Sequence, residues 1–194
     1  MALFYSSKAE QFACTVPFIK IGLERNERCL YIADDNSAPM VWRRLQEAGI
    51  DVDRAQKEDS LRVVTKQETY LRHGVFEPQR MVAELQREVD FSLSSGFAAF
   101  RATGEMTWAL DMPSSLIRLI DYEAKLNSQF PPRFIGLCQY DESRFPSHVI
   151  SEMIQLHPKI IARGQLIENG YYRPHLDSDD RRKQQVNVDQ LLAA

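Results

Sequence analysis

Cysteine is scarce in this sequence of 194 residues, and its arrangement excludes two structural uses. The three cysteines, Cys14, Cys29 and Cys138, are unevenly spaced, and no Cys-x-x-Cys pair occurs. An odd count without such a pair argues against a disulfide framework and against a zinc knuckle. Cys29 and Cys138 lie in apolar runs, where cysteine behaves as a small hydrophobic side chain. We therefore expect reduced thiols in the core of a cytosolic protein.

Long hydrophobic runs and an excess of basic charge are also missing. The apolar runs are far shorter than the roughly 20 residues that a membrane-spanning helix needs, and the amino-terminal residues lack the pattern of a secretory signal. The net charge is −3, from 24 basic and 27 acidic residues, and no basic stripe occurs. Binding to a nucleic-acid backbone is therefore not indicated. These features predict a cytoplasmic protein with neither a membrane contact nor a direct nucleic-acid contact.

Glycine is absent from the turn where a nucleotide-binding α/β protein requires it. A Walker phosphate loop would lie between the first strand and the first helix, because backbone amides must approach the phosphates there. Here the turn runs from Tyr5 to Glu10, the first glycine is Gly22, and Glu10 adds negative charge. ATP hydrolysis of the Walker type is therefore disfavoured. We expect Ser7 and Glu10 to cap the helix and Tyr5 to line the space that a nucleotide would otherwise fill.

What the sequence does contain is an alternation of β-rich runs with helical periodicity, which is typical of βαβ units. We predict strands at Leu3–Tyr5, Cys29–Ala33, Leu61–Thr65, Phe97–Thr103, Phe134–Cys138, Lys159–Ala162 and Gln165–Glu168. Helices are expected to begin at Ser7, Pro39, Pro78, Pro113 and Pro146. Asn169-Gly170 is a hairpin turn signal. The predicted fold is a three-layer α/β/α domain with a mainly parallel sheet and a C-terminal β-hairpin.

The length favours one domain over two. We predict a folded domain over residues 1–175 and a polar linker or tail over residues 176–194. The tail has a short apolar end, Val186 to Leu192, which we expect to dock, for example on a partner.

An ordered set of segments resembles a known family. The segments are Leu3–Tyr5, Gly22–Arg25 with Glu27–Cys29, Tyr70–Phe76, Phe100–Leu110, Tyr122–Asn127, Cys138–Asp141 with Arg144-Phe145, and His157-Pro158. In these residues the chain resembles the MEDS family, the methanogen/methylotroph DcmR sensory domain, over about residues 3 to 174. The resemblance implies a RecA/KaiC-like core with a degenerate phosphate loop. It also implies an input domain for small organic compounds, which works with a histidine kinase or a transcription regulator.

The candidate ligand site follows from the predicted sheet. In open α/β sheets, ligands bind in the crevice outside the carboxyl ends of the strands. The polar and aromatic residues that follow the strands are expected to converge on one edge: Asp34, Asp35, Arg101, Glu105, Trp108, Gln139, Tyr140 and Asp141. The candidate ligand-binding residues are Tyr5, Arg101, Glu105, Trp108, Glu123, Tyr140 and Asp141.

Each of these residues has a structural interpretation beside the functional one. Arg101 either forms a buried ion pair with Glu105 or binds an anionic ligand. Trp108 and Tyr140 either form the wall of a pocket or pack in the core. Glu123 lies on the apolar side of its helix, so it needs a cationic partner such as Arg101.

The histidines indicate no metal site. His157 precedes a proline at a helix end, where a hydrogen-bonded or cationic imidazole is expected. The other three, His73, His148 and His175, show no metal-ligand spacing with one another or with the cysteines. We therefore expect neither a metal nor a cofactor.

Three functions follow from these observations. The first is a non-catalytic sensory domain that binds a small organic ligand or a partner protein at the strand-end crevice. The second is an adaptor that forms oligomers or binds proteins without a small ligand. The third is an enzyme, either a divergent nucleotidase or a hydrolase that uses Glu105 and Asp141, which is disfavoured because the sequence shows no activated nucleophile and no metal set.

Overall fold

The computed structural model describes residues 1–173, apart from the side chains of Pro113 and Ser128. The tail predicted over residues 176–194 lies outside the described residues. The strands are β1 Ala2–Tyr5, β2 Glu27–Ala33, β3 Leu61–Thr65, β4 Ala99–Glu105, β5 Phe134–Asp141, β6 Lys159–Ala162 and β7 Gln165–Glu168. The helices are α1 Lys8–Glu24, α2 Ala38–Glu47, α3 Val52–Lys57, α4 Pro78–Ser94, α5 Pro113–Gln129 and α6 Ser147–Leu156, with short 3-10 helices at Lys66–Glu68 and Thr107–Asp111.

The strands form one sheet in the order β3-β2-β4-β5-β1-β6-β7. Neighbouring strands are parallel, except that β7 runs antiparallel to β6. The predicted α/β fold with a mainly parallel sheet and a C-terminal hairpin is therefore confirmed. Among the helices of residues 1–173, none combines the length and the hydrophobicity that crossing a bilayer requires.

The turn of the C-terminal hairpin differs from the prediction. It lies at Arg163 and Gly164, whose φ angles are 49° and 74°, as a tight two-residue hairpin requires at both central positions. Asn169 and Gly170 follow β7 instead. The Asn169 side chain donates hydrogen bonds to two carbonyls at the end of α6, one of them the carbonyl of His157 at 2.7 Å. The asparagine therefore fixes the end of the hairpin against α6 rather than forming its turn.

Two hydrophobic cores lie on opposite faces of the sheet, because successive side chains of a strand point to opposite sides. Helices α1, α2 and α3 cover one side, which we call the α1 face, and its core includes Leu3, Cys29, Tyr31 and Leu137. Helices α4, α5 and α6 cover the other side, which we call the α5 face, and its core includes Phe4, Leu30, Phe100, Trp108 and Tyr140.

Three local features depart from the predicted pattern. Helix α3, capped by the Asp51 carboxylate, which accepts from the Arg54 amide at 3.0 Å, was not predicted because it is only six residues long. Strands β4 and β5 continue to Glu105 and Asp141, beyond their predicted ends. Polar residues that were expected in loops therefore belong to strands, where the strand pleat fixes their direction.

Gly22 allows α1 to approach the sheet closely. A Cβ atom at this position would lie 2.6 Å from both Arg101 Cδ and Cys29 Sγ. Both neighbours are buried, so neither can move into solvent.

We predict that Gly22→Ala lowers the free energy of unfolding. The overpacking costs about 1–3 kcal/mol, which outweighs the gain of roughly 1 kcal/mol in helix propensity from glycine to alanine. Urea denaturation measures the difference. Gly170→Ala is the control, because its Cβ meets nothing within 4 Å. Equal or greater stability of the Gly22 variant would contradict the close approach.

Candidate functional site

The predicted site residues do not form one cluster. Tyr5 and Glu105 belong to the α1 face, whereas Trp108, Glu123 and Tyr140 belong to the α5 face. Asp141 follows Tyr140 in β5 and therefore points to the side opposite it. Tyr5, Glu105 and Asp141 do lie at the same carboxyl edge of the sheet, because β1, β4 and β5 are parallel neighbours. The alternation of side chains divides the predicted residues between the two faces, so they do not line one shared site.

Arg101 lies away from the carboxyl edge. It stands opposite Cys29 in the register of β2 and β4, four residues before Glu105, which is about 13 Å along a strand. Its Nε donates to the buried carboxylate of Glu27, and its guanidinium lies 4.5 Å from the centroid of the Phe18 ring. The expected pairs of Arg101 with Glu105 and with Glu123 are therefore wrong. Arg101 joins α1 to the amino half of the sheet.

Glu105 is fully buried, and its carboxylate accepts four hydrogen bonds. Tyr31 Oη donates at 2.9 Å, the amides of Asp34 and Asn36 at 3.0 Å each, and Asn36 Nδ2 at 2.8 Å. Burial raises the pKa of Glu105, while the bonds from Asn36, Asp34 and Tyr31 oppose that rise. Glu105 therefore holds the loop between β2 and α2 over the end of β4.

Buried amide and hydroxyl groups extend this network. Gln11 Nε2 donates to Gln139 Oε1 at 2.7 Å, and Gln139 Nε2 donates to Thr103 Oγ1 at 2.8 Å. Asn36 Nδ2 also donates to Gln11 Oε1 at 2.9 Å. These contacts fill the α1 face of the strand-end crevice with the protein's own polar groups. Sequence reasoning missed Asn36 and Gln11, because neither belongs to a recognisable motif.

The turn after β1 is occupied by its own carboxylate. Glu10 Oε2 accepts from the Ser6 amide at 2.9 Å and from Ser6 Oγ at 3.2 Å, while Ser7 Oγ accepts from the Glu10 amide at 3.2 Å. The capping by Ser7 was predicted, although Glu10 returns to Ser6 rather than to Ser7. Tyr5 is buried beside this turn, and burial raises its pKa. The backbone position that would bind a phosphate thus carries a negative charge already.

Asp141 stabilises the turn that follows β5. Its Oδ1 accepts from the Ser143 amide at 3.0 Å and from Ser143 Oγ at 2.6 Å. This local turn uses the side chain that the sequence had assigned to ligand binding.

Four aromatic side chains pack together on the α5 face: Tyr70, Phe76, Trp108 and Tyr122, which we call the aromatic cluster. Ring centroids are 4.4 Å apart for Phe76 and Trp108, and 5.0 Å apart for Tyr70 and Trp108. The Trp108 side chain is 1% exposed. Its indole Nε1 has no hydrogen-bond partner among residues 1–173. A ligand with an acceptor atom would supply the hydrogen bond that this buried N–H lacks.

Residues 66–77, which we call the covering segment, place two of these rings over Trp108. The segment connects β3 to α4 and contains one short 3-10 helix. Tyr70 and Phe76 point inward and are buried, whereas Val75 is 47% exposed. A cavity of only about 10 Å³ lies beside Tyr70 and Phe76, and Trp108 does not line it. Because Trp108 is buried, a ligand must displace part of this segment to reach the indole.

A second polar cluster on the α5 face surrounds Glu123. Its carboxylate accepts from Tyr140 Oη at 2.6 Å and from Cys138 Sγ at 3.3 Å, and it lies 3.2 Å from His157 Nε2. Burial disfavours ionisation of Glu123, but the bonds from His157, Tyr140 and Cys138 lower its pKa below the ordinary value. Burial raises the pKa of the Cys138 thiol. The basic side chain beside Glu123 is thus His157, and not Arg101, which was the example predicted.

Comparison with known proteins agrees with this architecture. The family model of MEDS, the methanogen/methylotroph DcmR sensory domain, matches residues 1–158. The transcriptional repressor DcmR of Methylorubrum extorquens is 28% identical over 155 residues, which are 79% of this chain and 56% of that protein. The chain therefore spans little more than half the length of this curated relative.

Two solved structures show the same fold. A KaiC-like protein of Pyrococcus horikoshii, PH0186, superposes with a TM-score of 0.57 at 14% identity, over 82% of this chain and 68% of that one. Another protein of that organism, PH0321, determined in complex with an unknown peptide, gives 0.60 at 13% identity, over 82% and 75%. These likenesses confirm the predicted RecA/KaiC-like α/β/α fold.

We predict that ATP with Mg²⁺ leaves the melting temperature unchanged. The Ser6 amide is already bonded to Glu10, and this carboxylate repels a phosphate. Thermal denaturation over a series of ATP concentrations measures the effect, with a phosphate-loop ATPase as the positive control. A melting temperature that rises with ATP concentration, as binding to the native state requires, would contradict the prediction.

We predict that Gly104→Ala loosens the covering segment. A Cβ atom at Gly104 would lie 2.1 Å from Tyr70 Oη, so the tyrosine ring must move. Hydrogen exchange followed by mass spectrometry should show faster exchange of the amides in residues 66–77. Val75→Ala is the matched control, because it changes an exposed side chain of the same segment. Unchanged protection in the Gly104 variant would show that Tyr70 does not hold the segment.

Proposed function

Because the chain belongs to the MEDS family of sensory domains, we propose that it recognises a small organic molecule at the aromatic cluster. The molecule carries one hydrogen-bond acceptor on an apolar body. Binding changes the position of the covering segment, and this change controls a transcriptional output. The proposed role is recognition, without catalysis.

The observation that carries this proposal is the unpartnered indole N–H of Trp108, within residues 1–173. A buried donor without an acceptor costs about 1–3 kcal/mol. The surrounding rings of Tyr70, Phe76 and Tyr122 offer an apolar environment with defined edges and faces. A ligand that accepts from the N–H and packs between these rings recovers that cost. A hydrocarbon of the same size does not.

The covering segment connects this site with the opposite face of the sheet. Lys66, its first residue, pairs with Asp34 at 2.6 Å, and Thr107 Oγ1 donates to Asp34 at 2.6 Å. The amide of Asp34 in turn donates to Glu105. Displacement of the segment by a ligand therefore alters the loop between β2 and α2. A ligand that binds the displaced arrangement better shifts the population toward it.

The named relative supports the transcriptional output. It is a transcriptional repressor, and this chain matches about half of its length. We propose that a DNA-binding regulator or a kinase, rather than this domain, carries the response, since the net charge of −3 gives no nucleic-acid footprint. We propose that residues 1–175 form the sensory unit and that residues 176–194 connect it to that output.

We predict that an acceptor-bearing ligand raises the melting temperature and changes the emission of Trp108. The chain has two tryptophans, so the variant Trp42→Phe reports Trp108 alone. Small ketones, esters and ethers should be compared with hydrocarbons of equal size by fluorescence titration and thermal denaturation.

Two variants distinguish the contribution of the Trp108 N–H to ligand affinity from the contribution of its ring. Trp108→Phe keeps an aromatic side chain but removes the donor, so the affinity for the acceptor-bearing ligand should fall about 5- to 150-fold. Trp42→Phe should bind as the unaltered protein does. If no compound of the panel stabilises the protein, or if Trp108→Phe binds equally well, the site is not at the aromatic cluster.

A further inference from the structure

The residues around Glu123 include three different metal-binding side chains, from three elements of the fold. Glu123 lies on α5, Cys138 lies on β5 and His157 follows α6. Their ligand atoms all lie within 4.8 Å of one another, and all three side chains are buried. We propose that Glu123, Cys138 and His157 bind a divalent transition-metal ion, with Zn²⁺ as the ion best matched to this ligand set. This proposal is independent of the aromatic cluster.

The distances suit a metal ion. Ligands about 2.0–2.3 Å from a tetrahedral ion lie roughly 3.3–3.8 Å apart. Glu123 Oε2 is already 3.3 Å from Cys138 Sγ and 3.2 Å from His157 Nε2. Only the separation of the sulfur and the imidazole nitrogen has to adjust, through small side-chain rotations. Carboxylate, thiolate and imidazole are the ligand types that zinc takes in proteins.

The histidine is oriented as a metal ligand. Its Nδ1 lies 2.7 Å from the Met153 carbonyl oxygen, which can only accept, so Nδ1 carries the hydrogen. Nε2 therefore is the nitrogen that faces Glu123 and Cys138, and it becomes a metal ligand when the proton that it shares with Glu123 leaves. In metal-binding histidines the nitrogen that does not bind the metal commonly donates to a carbonyl or a carboxylate. This hydrogen bond fixes the tautomer and the orientation of the ring. Tyr140 Oη holds the other carboxylate oxygen at 2.6 Å.

The charge balance also permits an ion in this buried position. The contact between Glu123 Oε2 and His157 Nε2 contains one proton, and Cys138 carries another on its thiol. One divalent ion displaces both protons, so two positive charges enter as two leave. The net charge of the buried cluster does not change, and no uncompensated charge is created.

The geometry leaves one coordination position open. A cavity of about 170 Å³ is lined by all three ligands and by apolar side chains that include Phe130 and Phe134. Three protein ligands with an open fourth position are typical of zinc sites that bind water or an exchangeable ligand. The site therefore has room for a small donor molecule beside the metal.

Cobalt(II) is the probe of choice, because it replaces zinc and gives a charge-transfer absorption band when bound to thiolate. Protein without a polyhistidine tag should bind one Co²⁺ per chain with this band, and added Zn²⁺ should abolish it. Cys138→Ser should lose the band. Cys29→Ser is the matched control, a second buried cysteine on another strand, and it should keep the band. Glu123→Gln and His157→Gln should weaken Co²⁺ binding at least about tenfold.

A melting curve should first show that each variant is folded, and only then is its Co²⁺ titration interpreted. The absence of a thiolate band in the unaltered protein would overturn the proposal, and would leave a hydrogen-bonded core cluster. A band that persists in Cys138→Ser, or that is lost in Cys29→Ser, would overturn it as well. If Cys138→Ser does not fold, the two glutamine variants decide, since equal Co²⁺ affinity in both would exclude the site.

Discussion

The buried carboxylate of Glu105 is the constraint on which the arrangement of the crevice depends. A carboxylate without solvent needs donors on both oxygens, and the chain supplies four of them from Tyr31, Asp34 and Asn36. Satisfying Glu105 therefore requires the loop between β2 and α2 to lie over the end of β4. That placement closes the α1 face of the crevice and brings Asp34 to Lys66 and Thr107. The covering segment is thereby attached to a loop on the far side of the sheet.

Helix α5 joins the two proposed sites. Tyr122 packs in the aromatic cluster, and the next residue, Glu123, accepts from Tyr140 and Cys138. Residues one apart on a helix point in directions about 100° apart, so one turn of α5 contributes to both sites. The two proposed sites therefore share one rigid element, although they lie on different sides of it.

The prediction succeeded where a local pattern decides the structure, and it failed where contacts between distant residues decide. Strand β3 has the predicted bounds, and α4 and α5 begin at the predicted prolines, because alternation and N-terminal proline act within a few residues. Arg101 was assigned to the crevice although it pairs with Glu27. Its partner depends on the register of β2 against β4, which no local pattern contains.

By itself the sequence determined the order of the strands, the mainly parallel sheet, the family and the absence of a glycine-rich phosphate turn. These follow from periodicity and from residue types at short spacing. Tertiary structure alone decided that Arg101 pairs with Glu27 and that Trp108 has no hydrogen-bond partner for its indole N–H within residues 1–173. It also brought Glu123, Cys138 and His157 together. The physical reason is that side-chain contacts are determined by how the helices pack onto the pleated sheet, and not by proximity in the chain.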